Sequence, residues 1–294
     1  MRSLLLIVFA AFTLPAQAEI SLRDDSGAEI RLKGPARRIV SLAPHITEIL
    51  FAAGAGERVV GTSDYSDYPP AAKRIARIGD YTNVDLETVV ALKPDLVIGW
   101  QTGNSAGDLD QLKRLGIPLF LSEPDRIEDV AGNLERFGEL AGTSNIAVPA
   151  ATAYRARLAQ LRQQYSNRPQ VRTFYQVWAD PPITVGGSQI IGNAIRLCGG
   201  VNVFADLAQM APVVSIEAVL AADPEVIVAS GPNETRPDWL DAWRRWPQLT
   251  AAARDNLFFI PPDLIQRQTP RLLDAIEQLC RDLETARARR PVSR

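Results

Sequence analysis

Apolar residues in this chain gather in short unbroken runs rather than alternating with polar ones. Runs at 39–42, 96–100, 118–122, 173–177, 226–228 and 257–260 each read as a strand buried on both faces, with helical patterns between them. Strands alternating with helices in this way predict parallel sheets covered on both sides. Ahead of them, 20–22 and 29–32 flank Asp24-Asp25-Ser26-Gly27, a hairpin signal.

The pattern also repeats. Residues 86–98 (LETVVALKPDLVI) align without gaps on 216–228 (IEAVLAADPEVIV), at a constant offset of 130. Each copy is a short helix stopped by proline, then an acid, then an apolar strand. More weakly, strand 39–42 with helix 46–53 and Gly54 and Gly56 matches strand 173–177 with helix 189–197 and Gly199-Gly200, and 118–122 matches 257–260. Between the copies, 146–165 carries no glycine, and its one proline, Pro149, sits near the start. About 20 helical residues span roughly 30 Å, so this connection is a strut. The expected fold is therefore α/β: two lobes with mostly parallel sheets joined by one long backbone helix. The divisions are an N-terminal lobe at 19–145, a connecting helix at 146–168 and a C-terminal lobe at 169–294. A cleft between such lobes is where a ligand binds.

Composition narrows the function. The 294 residues are 46% hydrophobic and 22% charged, and 32 Lys and Arg against 34 Asp and Glu leave −2. A near-neutral chain lacks the basic surface that nucleic acid requires, so no nucleic-acid partner is expected. A single histidine, His45, argues against His-rich metal centres and most acid–base enzymes working near neutral pH. The start reads as an address: Arg2, then an apolar stretch at 4–14 broken only by Thr13, then Ala16-Gln17-Ala18. The stretch is too short to span a bilayer and no cysteine lies near the cut, so residues 1–18 are expected to be a signal peptide cleaved after Ala18. The chain would then be exported, without an anchor, to the periplasm. Export favours pairing the two cysteines, Cys198 and Cys280, with two separate buried thiols as the alternative.

Four patterns carry candidate chemistry. Gly103-Asn104-Ser105-Ala106-Gly107 follows a strand and precedes a helix, which is the setting of a nucleophile elbow. A serine hydrolase at Ser105 needs a histidine downstream, whereas His45 precedes the serine by 60 positions. The plainer reading is a glycine-rich turn at a strand's carboxyl end. His45 and Glu48, three apart at a helix start, could share a face as a metal pair, be structural, or line the cleft. Glu87 and Glu217 occupy equivalent first turns, where an acid complements the helix dipole or offers a symmetric partner two docking points. Tyr65, Tyr68, Tyr81, Trp100, Tyr175 and Trp178 cluster near strand ends and divide between core packing and a flat ligand wall. Trp239, Trp243 and Trp246 recur as a helical stripe assigned to the core.

Taken together, residues 39–48 (IVSLAPHITE), 65–69 (YSDYP), 86–100 and 263–271 resemble the cobalamin binders among the helical-backbone substrate-binding proteins. These serve ABC importers, and the same group includes haem and siderophore binders. The resemblance covers nearly the whole chain after the signal. It implies that Tyr65 contacts the corrin, that Tyr81 and Trp100 line the same wall, and that the loop from Asp263 to Arg267 meets the ligand from the other lobe. It further implies that Glu87 and Glu217 engage arginines on the transmembrane subunits, and that Cys198 and Cys280 form the disulfide of the C-terminal lobe. Two positions depart from the cobalamin binders: Met210-Ala211 stand where those proteins carry a tryptophan, and Tyr81 replaces another. The expectation is a non-catalytic, monomeric carrier of cobalamin or a related corrinoid, with no cofactor or resident metal of its own. Haem, with His45 or a tyrosine as axial ligand, or a ferric siderophore, is the alternative within the fold.

Overall fold

The computed structural model describes residues 19–231 and 234–291, and the expected signal segment at 1–18 lies outside the described residues. The predicted hairpin forms from β1 (Ile20–Arg23) and β2 (Glu29–Leu32), antiparallel, with Gly27 at φ +86° in its turn. There follow β3 (Ile39–Ser41), α1 (Pro44–Ala52), β4 (Val59–Thr62), β5 (Ala76–Arg77), α2 (Leu86–Ala91), β6 (Leu96–Trp100), α3 (Ala106–Arg114), β7 (Leu119–Ser122) and α4 (Asp129–Ala141). The strands from β3 onward form one five-stranded parallel sheet, in the order β5-β4-β3-β6-β7. After α5 (Ser144–Tyr165) comes β8 (Val171–Gln176), then a short antiparallel pair, β9 (Trp178–Ala179) and β10 (Pro182–Ile183). The chain continues through α6 (Ile190–Leu197), β11 (Gly200–Asn202), α7 (Ile216–Ala222), β12 (Val226–Ala229), a 3-10 segment (Asp238–Arg245), α8 (Thr250–Ala253), β13 (Leu257–Phe259), α9 (Pro262–Ile265) and α10 (Leu272–Ala288). Its four-stranded parallel sheet runs β11-β8-β12-β13.

The two sheets superimpose in order: β4-β3-β6-β7 corresponds to β11-β8-β12-β13, which is the repeat seen in the sequence. In each sheet the chain winds outward in one direction and then reverses, leaving a switch point beside β3 and β6 and another beside β8 and β12. Loops at the carboxyl ends of such strands are where open α/β sheets hold ligands.

The unbroken apolar strands have a simple cause. Successive side chains point to opposite faces, and each face feeds a different core. Leu96 and Ile98 enter one cluster while Val97 enters another, and Val226 and Val228 part from Ile227 and Ala229 in the same way. The inner cluster is continuous across both lobes. Its spine is α5, whose buried residues Ala147, Ala151, Tyr154, Leu158, Leu161 and Tyr165 fall at helical spacing along one stripe. The helix begins earlier than the sequence indicated, so Pro149 lies in its interior rather than in the first turn. It occupies the exposed face, where water can take the carbonyl left without a donor because proline has no N–H. Cys198, just past α6, is bonded to Cys280 in α10, with S–S 2.01 Å and Cα–Cα 4.7 Å. Of the tryptophan stripe, Trp243 is buried and Trp239 and Trp246 pack partly buried against the same outer cluster, on a 3-10 segment rather than an α-helix.

Candidate ligand-binding cleft

Loops from the carboxyl ends of both sheets enclose a cavity of about 430 Å³. One wall is Pro44, His45, Tyr65, Tyr81 and Trp100, and the other is Pro262, Asp263, Gln266, Arg267 and Gln268, with Gly231 and Glu234 beside them. All five residues expected to touch ligand, namely Tyr65, Tyr81, Trp100, Asp263 and Arg267, line this one space. A second cavity of about 400 Å³ adjoins it, sharing Trp100 and Gln268 and reaching Glu123, Asp125, Gln189 and Met210. A third space of about 420 Å³ lies against α5, but Arg162 and Arg126 there are paired with Glu128 and Asp129, and no aromatic wall faces it.

The aromatic wall is held by polar groups beneath it. Tyr65 projects 71% exposed at φ +62°, a left-handed conformation that side-chain-bearing residues seldom adopt. Its loop is fixed from behind: Arg77 donates to the Thr62 hydroxyl (3.0 Å) and to the carbonyls of Ser63 (2.9 Å) and Ser66 (3.0 Å). The side-chain amide of Asn104 donates to the carbonyls of Leu42 (3.0 Å) and Tyr81 (2.6 Å), and its oxygen accepts from the backbone N–H of Trp100 (2.6 Å). One buried amide thereby ties together the loops after β3, β5 and β6. The glycine-rich turn therefore serves through Asn104. Ser105 caps α3 without a side-chain cap bond, and no side-chain hydrogen bond joins it to His45. Gly103 is required, because a Cβ there would fall 1.9 Å from the Trp100 ring. The Trp100 indole N–H donates to Glu123 (3.2 Å), which also accepts from Thr102.

His45 is a buried part of this wall. Its ring meets Trp100 edge-on at 5.3 Å, and Trp100 lies 5.7 Å from Tyr81. Burial, aided by the charge of Arg267, pushes its imidazole down to about 3, so it is neutral, and its Nε2 has no hydrogen-bond partner. The metal pair with Glu48 is not formed. Glu48 instead accepts two bonds from Arg271 (2.8 and 2.6 Å), and no cluster of three His, Cys, Asp or Glu suited to a metal occurs among the described residues. Arg267 reaches Asp67 across the cleft (3.1 Å) and Asp263 on its own wall (2.6 Å). Of the other aromatics, Tyr175 is in the core, Tyr68 lies under Arg271 at 3.7 Å, and Trp178 is exposed outside both cavities. Gln266 falls within the expected 263–267 loop, whereas Glu123, Glu234, Gln268 and the tying role of Asn104 escaped the sequence reading, since amides and acids in loops carry no periodic signal.

This geometry has close parallels. A family model described as a periplasmic binding protein matches residues 39–264. The chain belongs to the periplasmic binding protein family. Among its relatives, the vitamin B12-binding protein of Vibrio cholerae is 39% identical over 253 residues, covering 86% of this chain and 91% of that protein. The crystal structure of the periplasmic vitamin B12 binding protein BtuF of Vibrio cholerae matches with a TM-score of 0.79 at 39% identity, over 86% of this chain and 98% of that one. The periplasmic heme-binding protein RhuT from Roseiflexus sp. RS-1, in its apo form, matches with a TM-score of 0.73 at 24% identity, over 85% and 99%. At that identity it speaks for a shared fold alone. These family members are binding proteins, not enzymes.

Proposed function

We propose that this chain is a periplasmic substrate-binding protein that captures cobalamin in the cleft between its lobes and delivers it to an ABC importer. One observation carries the reading: Tyr65, Tyr81 and Trp100 face Asp263 and Arg267 across a single cavity, with Gln266 and Gln268 supplying polar edges. Flat aromatic walls bury the faces of a macrocycle, and the polar side fixes its orientation. The relatives of known ligand at 39% identity bind vitamin B12, which supports the same choice. Residues 19–145 and 169–294 act as the two jaws, and 146–168 is the stiff connection between them. The segment 1–18 directs export and is removed after Ala18, and the carrier works as a monomer. Glu87 and Glu217 are the contacts for the transmembrane subunits. In support, both are exposed in the first turns of α2 and α7, and neither pairs with a cation among the described residues. Titration of cyanocobalamin into the purified protein tests the site. Trp100→Ala should weaken binding by about 30-fold or more, as expected for truncating a buried aromatic anchor. An unchanged affinity would move the site elsewhere.

A further inference from the structure

We propose that the cleft selects an uncharged, amide-edged macrocycle over one edged with carboxylates, with Glu123, Asp125 and Glu234 as the specificity-determining residues. This deepens the corrinoid reading and rests on it. Glu234 and Asp263 line the first cavity, and Glu123 and Asp125 line the second. Among the described residues Arg267 is the one cationic side chain lining either, and it is already answered by two carboxylates, Asp67 at 3.1 Å and Asp263 at 2.6 Å. His45 adds no charge, since it is neutral. Among the described residues no salt bridge joins Glu123, Asp125 or Glu234 to a cation. Glu123 accepts only neutral N–H and O–H donors from Trp100 and Thr102, and Glu234 accepts from the backbone N–H of Asp263 at 3.2 Å. Burial, together with the charge of Asp263, raises the carboxyl of Glu234 above its ordinary range, as crowding of like charge requires.

The ligand therefore meets a surplus of carboxylate oxygens in a concave site with low-dielectric walls, where fields are focused. Primary amides around a corrin present N–H donors to those oxygens. The propionates of haem, or the negative charge of an anionic ferric chelate, would meet repulsion there, with no free cation among the described lining residues to relieve it. The selectivity thus comes from a repulsive element as much as from contacts with the favoured ligand.

Two corrinoids isolate this effect because they share a ring: dicyanocobinamide, with its amides intact, and dicyanocobyrinic acid, with those amides hydrolysed to carboxylates. Equilibrium dialysis of the full protein should show the amidated form bound about 30-fold or more tightly at low salt, and the gap should shrink as salt screens the repulsion. The triple variant Glu123→Gln, Asp125→Asn, Glu234→Gln should narrow the ratio about tenfold by gaining the acid. Equal binding of the two by the unaltered protein, or a gap indifferent to salt, would overturn the proposal, and neither measurement depends on the variant folding. A folded variant that leaves the ratio unchanged would also overturn it. Binding of neither corrinoid would instead remove the corrinoid reading, and the proposal with it.

Discussion

His45 is the only histidine in the chain, and its surroundings decide its charge. Buried against Trp100, it titrates near 3 in the folded protein but near 6.5 once unfolded. Between those values the unfolded chain takes up a proton that the folded one declines. This residue therefore weakens stability as pH falls, by up to about tenfold in the folding equilibrium per unit. Asp282 acts in the opposite sense. Burial pushes its carboxyl up to about 7, so its contribution is lost as pH rises from the ordinary carboxylate range toward that value. Comparing His45→Gln with the unaltered chain cancels the Asp282 contribution. Urea unfolding at pH 7 and pH 4.5 should show the variant losing about 10–100-fold less on acidification, and equal losses would contradict a neutral buried imidazole. The residues most legible in the sequence were aromatics at strand ends, because strand and turn signals locate them. Asn104 and Glu123 were not legible, since their roles depend on which strand ends lie side by side.

Between elements, the most telling contact is Glu48 with Arg271. It joins α1 to the start of α10 across 223 positions of sequence, with Glu48 only 3% exposed and the Arg271 guanidinium stacked over Tyr68. No spacing argument could have found it. Seen locally, Glu48 sits three residues from His45 and looks like half of a metal pair. Removing one partner of a buried pair strands the other charge, so Glu48→Ala should cost about 3–5 kcal/mol. Replacing both partners by methionine should recover much of that loss, read as thermal midpoints. A Glu48→Ala protein as stable as the original would show the pair to be peripheral. Helix α5 was readable from its composition, but its start was not. The helix starts at Ser144 rather than 146, which carries Pro149 into its interior, and burial of Ala147 and Ala151 on the opposite face holds that turn in place.

Across the whole molecule, one β/α unit used twice accounts for the matched sheets, the shared inner core and the equivalent positions of Glu87 and Glu217. That architecture was legible because parallel strands leave unbroken apolar runs and the repeat keeps a constant offset. The acidic lining of the cleft was not, because it is assembled from loops of both lobes. Replacing both Glu87 and Glu217 with alanine should abolish uptake in a transport assay while leaving ligand affinity intact, and surviving uptake would place docking elsewhere. The central claim, capture of a corrinoid, has a more direct test. The purified protein is mixed with excess cyanocobalamin, or with haem in parallel, then desalted and its absorption spectrum recorded. The account predicts a corrin spectrum co-eluting at one per chain and no retained haem. A Soret band with no corrin spectrum would contradict it.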